Sequence, residues 1–264
     1  MNRNIFGYPI GNLCDSLLIT PIFKKIKTAT LEIIDDEVAR DKGVLFEGLC
    51  DVKFSKTPAP ECPRTNERTH SSQAMLNALG ITDVNFLPIV ILKQNEIEWA
   101  KQFLSKYENP IVYTPTNSCS HDRNNLFAQM RTFTSEMNAL FIEKLSKDFT
   151  ILQFGLENGF YKNQKSEIRK FDHVVNIPNL NLRQLAACYH VIGKGLFSDT
   201  GDPYLMTAVG GKVVEIVPMY NESIYPYWKY IYNDEKLWKD EKVRNKYFCM
   251  SKWKESIDYL NFKF

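Results

Sequence analysis

The segment from Leu196 to Pro218 reads LFSDTGDPYLMTAVGGKVVEIVP. An apolar run ends on Asp199, Thr200 and Gly201, a helix-forming stretch follows, and a second apolar run begins after a pair of glycines. Two extended runs joined by a helix make a βαβ unit, with parallel strands and a right-handed crossover. Parallel sheets are covered by helices on both faces. This stretch therefore commits the chain to a layered α/β architecture.

The same alternation runs along most of the 264 residues. NIFGYPIG reads as a strand, CDSLLITPIFKKIKT as a helix, TLEII as a strand, DEVARDKGVLFEGL as a helix and DVKFS as a strand. KTPAPECPRTNERTH reads as loop, SSQAMLNALGI as a serine-capped helix and NEIEWAKQFLSKY as another helix. Around Glu108 to Pro110 the pattern restarts. Strands are expected at PIVYTPT, FTILQFG, HVVNIP, KGLFSD and KVVEIVP, with helices at SEMNALFIEKLSK, NLRQLAACYHV and DPYLMTAVG. The expectation is two short α/β halves, residues 1–107 and 108–218, followed by a closing segment, 219–264.

That last segment is crowded with aromatics and lysines. It has two readings: a peripheral membrane or acceptor-binding surface, or closing helices that pack their aromatic faces on the two halves. Acids break up its basic face, which favours the helices.

A formal charge of +2, with no basic stripe before the C-terminal region, argues against a nucleic-acid partner. The six cysteines form no C-x-x-C and the four histidines are scattered, so no metal site is expected. No apolar run nears the roughly 20 residues that span a bilayer, and the N-terminus shows no signal-peptide pattern. A cytoplasmic protein is expected, with reduced thiols.

Two turns carry the chemistry. In FSDTGDPYLM a strand leads through a glycine into a helix, where free backbone N–H groups and the helix dipole suit an anion. Thr200 can add a hydroxyl, and Gly201 allows close backbone approach. The same residues also read as a simple helix cap. In YPIGNLCDSLLITP a strand ends at Gly11 and a helix begins near Asp15, which reads either as a cap or as a general base for an acceptor hydroxyl.

Together the turns resemble the heptosyltransferase-like glycosyltransferases (family 9), which include the ADP-heptose:lipopolysaccharide heptosyltransferases. The family's first motif, G-D-x-G-D-x-L-L-x-T-P, is matched by Gly11-Asn12-Leu13-Cys14-Asp15-Ser16-Leu17-Leu18-Ile19-Thr20-Pro21. The second, D-T-G-x-x-H, is matched by Asp199-Thr200-Gly201-Asp202-Pro203-Tyr204. Between them lies S-Q-x-x-L-x-x-L-G-I, at Ser72 to Ile81. Asn12 replaces an acid, Cys14 a glycine and Tyr204 a histidine.

The resemblance implies a GT-B fold, with two Rossmann-like domains facing across a cleft, the acceptor on the N-terminal side and a nucleotide sugar on the other. It makes Asp15 the catalytic base, with Gly11, Asn12 and Cys14 on the acceptor side. It places Asp199, Thr200, Gly201, Asp202 and Tyr204 on the donor. Arg131 falls where the family has a lysine, and a cation there would neutralise the leaving diphosphate; Arg123 is the competing cation. Gly155 and Glu157 match a G-x-E near the ribose, Leu180 would floor the base, and Thr116 and Asn117 lie in the turn after the first strand of the second half. The implied activity is inverting, metal-independent transfer of a sugar from a nucleoside diphosphate to a hydroxyl of a glycan or glycolipid, without a cofactor. The alternatives are an inactive sugar-nucleotide-binding or scaffold protein, and another GT-B enzyme such as a sugar-nucleotide epimerase.

Overall fold

The computed structural model describes residues 5–8, 13–26, 30–35, 37–56, 88–116, 131–155, 169–217, 245–249, 253–254 and 256, and for β1, β9 and parts of the first three helices it describes backbone alone. The expected loop at KTPAPECPRTNERTH and helix at SSQAMLNALGI lie outside these residues. Among the described residues the first sheet holds β1 (Ile5–Tyr8), β2 (Thr30–Ile34) and β3 (Asp51–Ser55), paired parallel in that order. A second sheet holds β4 (Pro110–Thr114), β5 (Thr150–Gly155), β6 (Val174–Pro178), β7 (Lys194–Ser198), β8 (Lys212–Val217) and β9 (Asn245–Cys249).

All pairings in the second sheet are parallel, and its spatial order is β6-β5-β4-β7-β8-β9. Counted within this half, that is 3-2-1-4-5-6, the order of the doubly wound nucleotide-binding fold. The α/β class and parallel sheets expected from the sequence are present. In the C-terminal segment, where closing helices are expected, the described residues Asn245–Cys249 extend the sheet as a parallel strand beside β8, while Trp253, Lys254 and Ser256 are helical. NKYFC places Tyr247 and Phe248, both strand-favouring aromatics, side by side and shows no alternation of apolar and polar residues. Trp253, just beyond, packs against Phe141 with ring centroids 5.6 Å apart.

The first expected helix is divided into α1 (Leu13–Leu18) and α2 (Thr20–Lys25). Pro21 has no N–H to offer the Leu17 carbonyl four residues back. The Thr20 hydroxyl takes its place, donating to Leu17 O at 2.7 Å. The second expected helix is α3 (Glu37–Gly43) followed by a 3-10 turn at Val44–Phe46. Further helices among the described residues are α4 (Gln94–Leu104), α5 (Ser135–Leu145), α6 (Leu182–Ile192) and α7 (Asp202–Ala208).

Their ends are fixed locally. Thr134 caps α5 by accepting from Met137 N, Asn181 and Gln184 form a reciprocal capping box on α6, and Gly193 ends α6 at a left-handed φ of 71°.

The second sheet is apolar on both faces, as a parallel sheet covered by helices requires. Ile111, Tyr113, Ile151, Leu196, Val214 and Ile216 face a core with α5. Val112, Leu152, Phe154, Phe197 and Val213 face the other way, toward α6 and α7. This second core runs without a break into the first lobe through Leu17, Ile22, Phe23, Ile33 and Phe46. The halves share buried apolar surface as well as meeting at polar contacts.

Those polar contacts gather on the segment entering α4. Ile89 N donates to Thr20 Oγ1 at 2.8 Å, and Val90 N donates to Ala208 O at 3.0 Å, so one short stretch is tied to α2 and to α7. Arg183 of α6 donates from Nε to Glu96 Oε1 (2.8 Å), and from its terminal nitrogens to the second Glu96 oxygen and to the Ile91 and Val44 carbonyls. Burial alone would raise the Glu96 carboxyl, but Arg183 and Lys93 hold it below its ordinary value.

Candidate active site

In a doubly wound sheet the chain leaves β4 toward one side and β7 toward the other, which opens a crevice at their carboxyl ends. Val112, Tyr113 and Thr114 pair with Gly195, Leu196 and Phe197. Beyond that paired stretch stand Pro115 and Thr116 on one strand, and Ser198, Asp199 and Thr200 on the other. Phe133 N donates to Pro115 O at 2.9 Å, which brings the segment carrying Arg131 back to the same edge.

Arg131 and Asp199 meet there. The guanidinium donates from Nε to Asp199 Oδ2 at 3.0 Å and from Nη2 to Oδ1 at 2.9 Å. The Asp199 side chain is wholly buried, while that of Arg131 is 21% exposed. This is the side-on bidentate geometry in which a planar guanidinium matches a carboxylate. Thr116 is buried on the same edge, and so is Ser198, whose hydroxyl has no hydrogen-bond partner among the described residues.

The turn after β7 is held from inside the second lobe. Tyr189 of α6 donates its phenol hydrogen to Asp202 Oδ1 at 2.6 Å. Thr200 Oγ1 donates to Asp202 Oδ2 and accepts from Asp202 N, both at 3.2 Å. Burial raises the Asp202 carboxyl above its ordinary value, against the lowering effect of these hydrogen bonds. Burial likewise lifts the Tyr189 phenol, so it stays a hydrogen-bond donor at neutral pH.

Gly201 serves a purpose other than the one its sequence suggests. Its φ of −77° is open to any residue. A Cβ there would lie 2.9 Å from Leu13 Cβ, nearer than side chains approach one another. The glycine lets α1 of the first lobe close on the start of α7, and so joins the two sequence motifs in space. Asp15 and Cys14 lie in α1, although the structure describes only their backbone.

The other expected residues divide clearly. Gly155 ends β5 and its carbonyl accepts from Asn179 N at 2.9 Å, so the turn leading to Leu180 lies at the same end of the sheet. Leu180 packs on the rim of the shared core. Tyr204 is 8% exposed and belongs to that core, so most of its ring packs against apolar neighbours. His190 is an exposed helix residue whose Nδ1 lies 2.9 Å from Val209 O. Gly11, Asn12, Asn117, Glu157, His121 and Arg123 lie outside the described residues.

Sequence reasoning passed over Tyr189, Thr20 and Arg183. Arg183 stands three and four positions before Ala186 and Ala187, on the buried stripe of α6. An arginine on an apolar stripe calls for a buried partner, and that was the available signal.

The strand order and the position of this edge define a doubly wound α/β architecture. No protein-family model and no curated protein sequence matches the chain. Solved structures do. A glycosyl transferase family 9 protein from Veillonella parvula DSM 2008 superposes with a TM-score of 0.63 over 100% of this chain and 90% of its own, at 12% identity. The iron-containing dodecameric glycosyltransferase TibC from enterotoxigenic E. coli H10407 superposes at 0.52, with 12% identity over 81% of this chain and 60% of its own. A heptosyltransferase TibC structure with ADP-D-beta-D-heptose gives 0.53 at 12% identity, over 81% of this chain and 58% of that one. The chain thus has the fold of family 9 glycosyltransferases, and it spans about 60% of the length of TibC.

Proposed function

We propose that this protein is a glycosyltransferase that binds a nucleoside-diphosphate sugar at the carboxyl ends of β4 and β7 and transfers the sugar to a hydroxyl of a glycan or glycolipid. The observation that carries the reading is the meeting of the two motifs: Leu13 of the first packs on Gly201 of the second, beside the edge where β4 and β7 diverge. The ADP-D-beta-D-heptose bound to TibC, which shares this fold, supports a nucleotide-sugar donor.

In this reading the diphosphate lies along the Asp199–Gly201 turn near Arg131 and Thr116. Glu157 accepts from the ribose and Leu180 lies under the base. Asp15 takes the proton from the acceptor hydroxyl, whose oxygen attacks the anomeric carbon. The bond from that carbon to the diphosphate oxygen breaks, and the electron pair leaves with the diphosphate. Single displacement inverts the anomeric centre. The cation at Arg131 stabilises the charge that develops on the leaving group, the task a divalent metal performs in other transferases. The enzyme works in the cytoplasm, with its acceptor presented from the membrane surface.

A second reading, a nucleotide-sugar-binding protein without transfer, draws on one feature. The Arg131 fork and the Thr200 hydroxyl are both engaged within the protein. Thermal-shift titration with ADP, GDP, UDP, dTDP and CMP, with and without Mg²⁺, tests both. A ligand at 100 times its dissociation constant stabilises a fold by about 2.7 kcal/mol. One diphosphate is expected to raise Tm without the metal, and its sugar conjugate is then assayed for transfer. Binding without transfer to any acceptor supports the second reading, and a flat response to all five overturns both.

A further inference from the structure

We infer that Asp202 is a positioning residue that controls the donor turn through Thr200: ionised, it holds the Thr200 hydroxyl inward, and on taking up a proton it releases that hydroxyl to donate to the diphosphate. The inference rests on the donor site proposed above and concerns its regulation. Thr200 lies in the turn after β7 and is 7% exposed. Its Oγ1 donates to Asp202 Oδ2 and accepts from Asp202 N, both at 3.2 Å. The other carboxyl oxygen accepts from the Tyr189 phenol at 2.6 Å. Asp202 reaches the surface in part, but its carboxyl meets this wholly buried phenol.

A hydroxyl has one hydrogen to donate and two lone pairs that accept. Here the Thr200 hydrogen and one lone pair are both committed to Asp202, so only a lone pair remains for a ligand. Ionised phosphate oxygens only accept, and a lone pair facing them repels. When Oδ2 takes a proton from water, its bond to Thr200 reverses direction. Asp202 then donates to Oγ1, Asp202 N fills the second lone pair, and the Thr200 hydrogen is free to turn outward. The Oδ2 bond is the one that gives way, being long beside the roughly 2.7 Å common for hydroxyl donors. Burial already favours the protonated form, since it raises the Asp202 carboxyl above its ordinary value.

Tyr189 faces this carboxyl from α6, and burial lifts its phenol so that it stays a donor while Asp202 titrates. Cys188 and His190 flank it in that helix, Glu215 lies on β8, Asp15 on α1, and the Arg131–Asp199 pair precedes the turn. Lys194 and Lys212 stand at the amino ends of β7 and β8, away from the turn. Among the described residues the Asp202 carboxyl bonds to Tyr189 and Thr200 alone.

The test is equilibrium binding, across pH, of whichever of ADP, GDP, UDP and dTDP stabilises the protein, with the matching nucleoside as the phosphate-free control. Asp202→Asn keeps an oxygen for Tyr189 and donates its amide to Oγ1, so it leaves the Thr200 hydrogen free at every pH. Above the folded value of the Asp202 carboxyl, this variant should bind the diphosphate about 2- to 10-fold more tightly than the unaltered protein, the contribution of one hydrogen bond. The gap should close as the pH falls through that value, because protonation then releases Thr200 in the unaltered protein too. The diphosphate's own titration is common to both proteins and cancels in the ratio. Calorimetry in two buffers of different ionisation enthalpy should show more proton taken up by the unaltered protein than by the variant. Nucleoside affinity should be the same in both.

Thr200→Val removes the hydroxyl and separates its release from plain charge repulsion. In that background Asp202→Asn should no longer tighten binding, and the extra proton uptake should vanish. Tightening that persists would come from repulsion between Asp202 and the diphosphate and would overturn the inference. Equal affinities across the pH range, or weaker binding in Asp202→Asn, would also overturn it while leaving the donor site standing. Where Asp202→Asn does not fold, proton uptake by the unaltered protein is compared with that by Thr200→Val, and equal uptake overturns the inference. If neither the unaltered protein nor Asp202→Asn binds any of the diphosphates, it falls together with the donor site.

Discussion

Leu13 and Gly201 lie 188 positions apart in the chain, yet a methyl group added to Gly201 would sit 2.9 Å from Leu13 Cβ. The start of α1 and the start of α7 are in van der Waals contact, and nothing larger than a hydrogen fits between them. Gly201→Ala is therefore expected to destabilise the fold by about 1–3 kcal/mol through overpacking. Leu13→Ala in the same chain keeps the Cβ but removes Cγ and Cδ2, each 3.1 Å from the added methyl, and should restore part of that loss. Urea unfolding of the four proteins in the cycle measures it. Strictly additive losses would show that the two residues are not in contact.

The clamp from α6 to α4 makes a second prediction. Arg183→Met leaves Glu96 without its main partner, and the pair is mostly but not wholly enclosed, with side-chain exposures of 10% and 18%. The cost should be about 1–3 kcal/mol, between that of an exposed pair and that of a fully buried one. The pH dependence has a definite sign. Glu96 has a lowered carboxyl pKa in the folded state, so its contribution is complete above the ordinary carboxyl value and is lost as the pH falls through the folded value. Acid unfolding followed by circular dichroism should show that loss in the unaltered protein. It should be smaller in Glu96→Gln.

At Asp202 the sign is opposite. Its carboxyl is raised in the folded state, so ionisation works against folding and the penalty grows as the pH rises through the folded value. Asp202→Asn keeps the size of the side chain and an oxygen to accept from Tyr189. Its Tm should exceed that of the unaltered protein at neutral pH, with the difference closing in acid. Tyr189→Phe should do the reverse. Leaving Asp202 Oδ1 without its donor costs about 1–3 kcal/mol. Equal Tm values for all three proteins across the pH range would refute this account of the turn.

For the proposed chemistry, Asp15→Asn removes the base and leaves the donor edge intact. Transfer should fall by about 10²- to 10⁴-fold, the range for general base catalysis. Affinity for the nucleoside diphosphate should hold within about twofold, because the contact of Leu13 with Gly201 is left as it is. Undiminished transfer would assign the base elsewhere.

Much of the architecture was legible in the chain. The restart of the pattern at Glu108 to Pro110 is followed by β4 at Pro110, and every strand expected between there and Val217 is present. Strand and helix boundaries follow from local causes: the period of apolar residues, Pro21 where a backbone donor is missing, and Gly193 where the chain needs a left-handed φ. The C-terminal strand at Asn245–Cys249 was not legible, because a short edge strand draws its pairing from β8 rather than from its own pattern. The motif at Asp199 to Tyr204 could be recognised, but not the work of its parts.

The sequence by itself therefore determined the α/β class, the order of the elements and the residues gathered at the two turns. These depend on interactions within a few residues, which a linear pattern carries. The tertiary structure alone decided the 3-2-1-4-5-6 strand order, the partnership of Arg131 with Asp199 across 68 positions and that of Arg183 with Glu96 across 87. It also showed that Gly201 is small to admit Leu13. Such pairings arise where the packed sheets and helices bring distant segments together, and nothing in the neighbouring sequence of either partner specifies the other.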